Sequence, residues 1–167
     1  MPFDGTPPSI AIPYLILVEC NNIRREAVVV ATIQEGLTHA ASLSRYFWPM
    51  KTGGRLAAAR GERLRTAFEL TDESPLKSRL LRNTFEHFDE RLDRFLLNDI
   101  VGCFFPSPTV GSHELSDNAL GNFFKLVDRV HGICVLLGDK VEFRPIRGEV
   151  QRILKHALQM SDRGSRL

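Results

Sequence analysis

The apolar run Ile10 to Val18 stops at Glu19, and from residue 13 to about residue 47 the chain has one glycine, Gly36, and no internal proline. Leu15, Val18, Val29 and Ile33 recur near helical spacing and Pro49 supplies a stop, so the pattern predicts one long helix with a kink near Gly36. Residues 51–54 read as a turn, and residues 55–70, rich in alanine, leucine and arginine, as a second helix. After a break at residues 71–73, Ser74 is placed to cap a third helix and Pro75 to open it, with the run reaching about Asn98. Leu81, Phe85, Phe88, Leu92 and Phe95 step by four and three to form an apolar stripe. Arg79, Arg82, Asn83, Glu86, Glu90, Asp93 and Arg94 lie opposite it.

Beyond residue 98 the pattern changes. Pro106, Pro108, Gly111, Ser112, Asp117, Asn118 and Gly121 mark a loop over residues 99–122, a length that is commonly functional or hides short strands. Residues 123–130 and 133–137 read as strands, Gly138-Asp139 as a two-residue hairpin turn, and the alternating residues 140–144 as a further strand closed by Pro145. Val150, Ile153, Leu154, Ala157 and Leu158 give a last helical stripe, and residues 161–167 are expected to fray. The expected fold is mainly α. One domain spans 1–167, with an antiparallel helical bundle over 13–98, the loop 99–122, and a small antiparallel β-hairpin plus closing C-terminal helix over 123–160.

Composition narrows the function classes. A chain of 167 residues with 43% hydrophobic content fills one real core, which excludes a disordered tail or a disulfide-stapled mini-protein. With 22 basic and 20 acidic residues the net charge is only +2, so any grip on nucleic acid must come from a local patch. The most basic stretch is 51–65, where Lys51, Arg55, Arg60, Arg63 and Arg65 stand against Glu62. Cys20, Cys103 and Cys134 are too scattered for a disulfide framework and read as reduced thiols, so the expected localisation is cytoplasmic. The start lacks a basic region and makes a poor secretory signal. The apolar run 10–18, as a helix, spans about 14 Å against a hydrocarbon core of about 30 Å, so no membrane partner is expected.

No glycine-rich phosphate loop, G-x-S-x-G elbow or H-x-x-x-H pair is present. The five histidines lie far apart, so neither a cofactor nor a metal is expected; a histidine site would have to be assembled wholly by the fold, with Glu35 and His39 the nearest contributors. Trp48, the only tryptophan, is expected to plug one end of the bundle.

The remaining constellation is Arg82-Asn83-Thr84-Phe85-Glu86-His87. On a helix Arg82 stacks under Glu86 and Asn83 under His87, while Arg82 and His87 stand about 140° apart and flank one polar face. A guanidinium offers paired hydrogen bonds to a phosphate, and an imidazole both accepts and returns a proton near neutral pH. Metal-free RNA cleavage needs a base for the 2′-hydroxyl, a cation for the phosphate and an acid for the leaving 5′-oxygen. Two copies of the pair, related by a two-fold axis, supply enough groups.

This segment resembles the motif of the HEPN superfamily (higher eukaryotes and prokaryotes nucleotide-binding domains): an arginine, often followed by a polar residue, then a histidine after four to six residues. The resemblance implies a compact helical bundle that forms a homodimer and acts as a metal-independent endoribonuclease or toxin-like effector. RNA or a nucleotide would be its ligand, and an antitoxin-like protein a partner. It implies Arg82 as the phosphate-binding residue and His87 as the acid/base, with Asn83 orienting the substrate; Glu86 is expected to support them, and Arg79, with Arg63 and Arg65 of the basic stretch, to contact nucleic acid. Relatives that have lost activity imply the alternative, a non-catalytic dimeric module that binds a nucleotide or a protein partner. Two features depart from the pattern. Asp89 stands where paired toxins often carry a tyrosine, and the β-rich stretch 123–144 has no counterpart in the minimal helical fold.

Overall fold

The structure is a computed structural model that describes residues 8–86, 88–97, 102–118 and 120–164, apart from the side chains of 8–21, 23, 51, 85 and 86. It is mainly helical: α1 (Pro8–Phe47), α2 (Gly54–Ala67), α3 (Arg79–Glu86), α4 (Phe88–Leu97) and α5 (Phe143–Asp162). The first helix runs without interruption through Gly36, whose missing side chain leaves open space around it. α2 lies close against the end of α1, because Gly61 lets the Phe47 carbonyl and the Pro49 ring approach to where a Cβ would stand 2.7 Å from each.

The third helix, expected to open at Pro75, begins instead at Arg79. Pro75–Lys77 is one turn of 3-10 helix, and Ser78 is extended. Ser74 does not cap; its hydroxyl donates to Glu149 Oε1 on α5 at 3.0 Å, and Ser78 Oγ accepts instead from the Leu81 N–H at 3.4 Å. α3 and α4 flank His87, which lies outside the described residues. The apolar stripe serves different partners along its length. Leu81 is fully buried in the core shared with α1, whereas Phe95 meets the Phe124 ring edge-on at 5.7 Å and Phe88 lies under Lys125 Nζ at 5.2 Å.

The 99–122 region, read as loop, holds short strands. β1 (Cys103–Phe105) pairs in parallel with β3 (Gly121–Phe123), and β2 (Thr109–Val110) pairs in parallel with β4 (Lys125–Asp128). β4, β5 (Ile133–Leu136) and β6 (Asp139–Glu142) form an antiparallel meander, so the four-stranded sheet β2-β4-β5-β6 is mixed and not purely antiparallel. The 3-10 segment His113–Asp117 carries the chain from β2 towards β3.

Two boundaries shift from expectation. The tight turn is Leu137-Gly138, one residue early, with φ of 50° and 85° and Leu136 paired with Asp139. Positive φ at both central residues is the type I′ signature, which matches the twist of the flanking strands. Leu137 tolerates it while its side chain stays buried. Pro145 does not close a strand; it lies in the first turn of α5, where its missing N–H costs nothing.

Helices and sheet share one core. Val30, Leu37, Ala41 and Leu81 pack in the same cluster as Val127, Cys134, Val141, Ile146 and Ile153. The segments 13–98 and 123–160 therefore bury each other. Burial pushes the Cys134 thiol up to about 12, which leaves it protonated and unreactive. Among the described residues, no helix is long and apolar enough to cross a membrane.

Candidate functional site

The first turn of α3 and the 3-10 turn before it present a run of polar side chains to one cleft. Its volume is about 750 Å³, and Trp48, Asp72, Lys77, Arg79, Arg82 and Asn83 are among the residues lining it. Arg82 is half-buried, and its Nη1 donates to the Trp48 carbonyl at 3.2 Å, which braces the guanidinium from the α1 side. Arg79 and Asn83 are exposed on the same rim. Among the described residues lining the cleft, the one carboxylate, Asp72, is already matched. Lys77 Nζ lies 2.8 Å from Asp72 Oδ2, and Trp48 Nε1 donates to Asp72 Oδ1 at 3.4 Å. The Lys77 hydrogen bond, followed by that of Trp48, holds the Asp72 carboxyl below the usual carboxylate range. Among the described residues, the charges left over on this rim are therefore cationic, as an anion site requires.

The other expected nucleic-acid contacts part company. Arg65 is half-buried, donates to the Phe47 carbonyl and lies 6.0 Å over the Trp48 ring, so it supports the wall of the cleft from behind. Trp48, buried between Arg65 and Phe47, plugs the end of the bundle as expected. Arg63 is exposed on a separate groove shared with Leu56, Arg60 and Met160. His87 lies outside the described residues, and so does the side chain of Glu86. Thr84, in the middle of the motif, is fully buried and donates to Asp139 Oδ2 at 3.1 Å, while Arg91 of α4 pairs with the same carboxylate. This residue anchors α3 and α4 to the β5–β6 turn.

A second polar cluster, not foreseen from the sequence, lies at the far end of β4. Asp128, the last residue of that strand, is 2% exposed although charged. Its Oδ1 accepts the Val130 and His131 N–H groups at 2.9 Å each, which turns the chain into the β4–β5 loop. Its Oδ2 lies 2.8 Å from His113 Nδ1, 2.8 Å from His131 Nδ1 and 3.0 Å from the His113 amide nitrogen. The two imidazoles meet edge-on, their centroids 5.1 Å apart. Foremost the His113 side chain, then the His131 amide, hold the Asp128 carboxyl far below the usual carboxylate range. The loop itself is clamped. Arg144 Nη2 donates to the Arg129 and Val130 carbonyls, and Gly132, at φ 74°, leaves no room for a Cβ beside the Arg144 stem.

The short spacing of Asp128 and His131 was visible in the sequence, but His113 joins them only through the β2–β4 pairing and the 3-10 turn that follows. By contrast Glu35 and His39, the nearest metal contributors by sequence, form only an exposed pair at 3.8 Å. Compared with known protein families, curated proteins and solved structures, the chain matches none.

Proposed function

We propose that the protein is a HEPN-like, metal-independent endoribonuclease whose phosphate site is the Arg82 cleft. One observation carries the reading: Arg82, Arg79 and Asn83 line a single cleft, with Arg82 braced by the Trp48 carbonyl and Asp72, the only acidic residue among the described lining, matched by Lys77. A guanidinium fixed in this way holds a phosphodiester at little entropic cost, and Arg79 adds a second positive charge. In the proposed reaction His87, five residues further on, takes the proton of the 2′-hydroxyl. The 2′-oxygen then forms a bond to phosphorus, and the bond to the 5′-oxygen breaks. A second imidazole, from another copy of the chain, returns a proton to that oxygen. The products are a 2′,3′-cyclic phosphate and a free 5′-hydroxyl. Arg82 stabilises the negative charge that grows on the phosphoryl oxygens, and the active species is a homodimer.

The test is incubation of the purified protein with mixed RNA in EDTA, beside Arg82→Ala and His87→Ala variants, with end-group analysis of the fragments. Cleavage with cyclic-phosphate ends is expected, reduced about 10²- to 10⁴-fold by loss of His87. Cleavage that survives both changes removes this site from the reaction. RNA that is bound in an Arg82-dependent manner but left intact assigns the cleft to the non-catalytic, nucleotide-binding module.

A further inference from the structure

We infer that His113, Asp128 and His131 form a binding site for one zinc-class transition-metal ion, separate from the Arg82 cleft. Three nitrogens converge on a single carboxylate oxygen, Asp128 Oδ2, at 2.8, 2.8 and 3.0 Å. An ionised carboxylate oxygen offers about two lone-pair directions, so hydrogen bonding alone leaves one of these nitrogens surplus. The surplus disappears when the imidazole nitrogens and Oδ2 direct lone pairs at a shared cation. One ligand atom from each of the three residues already lies within 4.8 Å of the others. Tetrahedral zinc, with bonds of about 2.0–2.2 Å, sets its ligand atoms about 3.4 Å apart, so each imidazole Nδ1, now 2.8 Å from Oδ2, needs to open from it by about half an ångström.

The donor set selects the class of metal. Two imidazoles and one carboxylate suit zinc or its neighbours in the transition series, not calcium or magnesium, which want oxygen donors. Three protein ligands leave a fourth position free, and His131, with a side chain 55% exposed, leaves that position open to solvent. The surroundings orient the ligands in the way metal sites need. Asp128 Oδ1 is fixed by two backbone N–H groups, and Arg144 clamps the loop that carries His131.

The experiment uses the full chain, dialysed against a chelator and then titrated with Zn²⁺ by calorimetry and with Co²⁺ by visible absorption. One Zn²⁺ per chain is expected, together with a four-coordinate Co²⁺ spectrum that Zn²⁺ abolishes. His131→Ala, at a solvent-facing position that leaves the core intact, and His113→Ala each weaken binding by at least about tenfold, whereas His39→Ala leaves it unchanged. Circular dichroism of the metal-free variants checks that they are folded. Absence of stoichiometric Zn²⁺ binding by the wild-type chain, or equal affinity in folded His131→Ala, overturns the assignment.

Discussion

At the scale of single residues, two glycines in helices carry opposite meanings. Gly36 is exposed, in mid-helix, with nothing near the position of a Cβ. Gly36→Ala therefore removes only the entropic cost of glycine and is expected to stabilise by about 0.5–1 kcal/mol. Gly61→Ala gains the same propensity but drives a methyl group to 2.7 Å from the Phe47 carbonyl and the Pro49 ring. Overpacking costs about 1–3 kcal/mol, so the net change is destabilising. Urea midpoints of the two variants should move in opposite directions. Glu149 is another residue whose role is set by its neighbours. Arg152 and then Ser74 hydrogen-bond its carboxylate, and together they hold its pKa below the ordinary value. A depressed carboxyl binds its proton less readily when folded, so its contribution is complete above about pH 4.3, the unfolded value, and fades as pH falls through the folded one. Glu149→Gln is expected to be less stable than wild type at neutral pH and to converge with it in acid, read from thermal melts across that range.

At the scale of elements, the apolar stripe from Leu81 to Phe95 shows what a local pattern specifies. Helical spacing correctly identified helical segments there, and it put Arg79, Arg82 and Asn83 near one another because residues three and four apart are neighbours on any helix. It could not show that Leu81 faces the α1 core while Phe95 faces the Phe124 ring, because that division depends on strands folded from sequence about thirty residues away. The same limit hid the His113–Asp128–His131 cluster, whose proximity is created by β2 pairing with β4. The β5–β6 turn was legible to within one residue, since glycine marked it and burial chose the register. That turn supports a prediction. Leu137→Asn installs the Asn-Gly pair that type I′ turns prefer and relieves an αL penalty of about 1–2 kcal/mol. Leu137 is only 6% exposed, however, and losing a buried leucine costs about 2–5 kcal/mol. The variant is expected to unfold at lower urea concentration despite its better turn.

At the scale of the whole molecule, a net charge of only +2 means that RNA affinity depends on where the cations stand, not on how many there are. The fold separates two basic regions that the sequence left together as one candidate surface. Arg79 and Arg82 line the cleft beside Trp48, whereas Arg63 lines the groove towards Met160. Salt dependence distinguishes them, because each phosphate neutralised on a single strand adds about 0.7 to the slope of log Kobs against log salt. The probe is a 2′-O-methyl RNA, which lacks the attacking hydroxyl and so reports binding without cleavage. If the cleft is the phosphate site, Arg82→Ala and Arg79→Ala should each flatten the slope by about 0.7, while Arg63→Ala leaves it unaltered. A slope that responds to Arg63 as strongly as to Arg82 would transfer the binding surface to the α2 groove and leave the cleft as a braced helix junction.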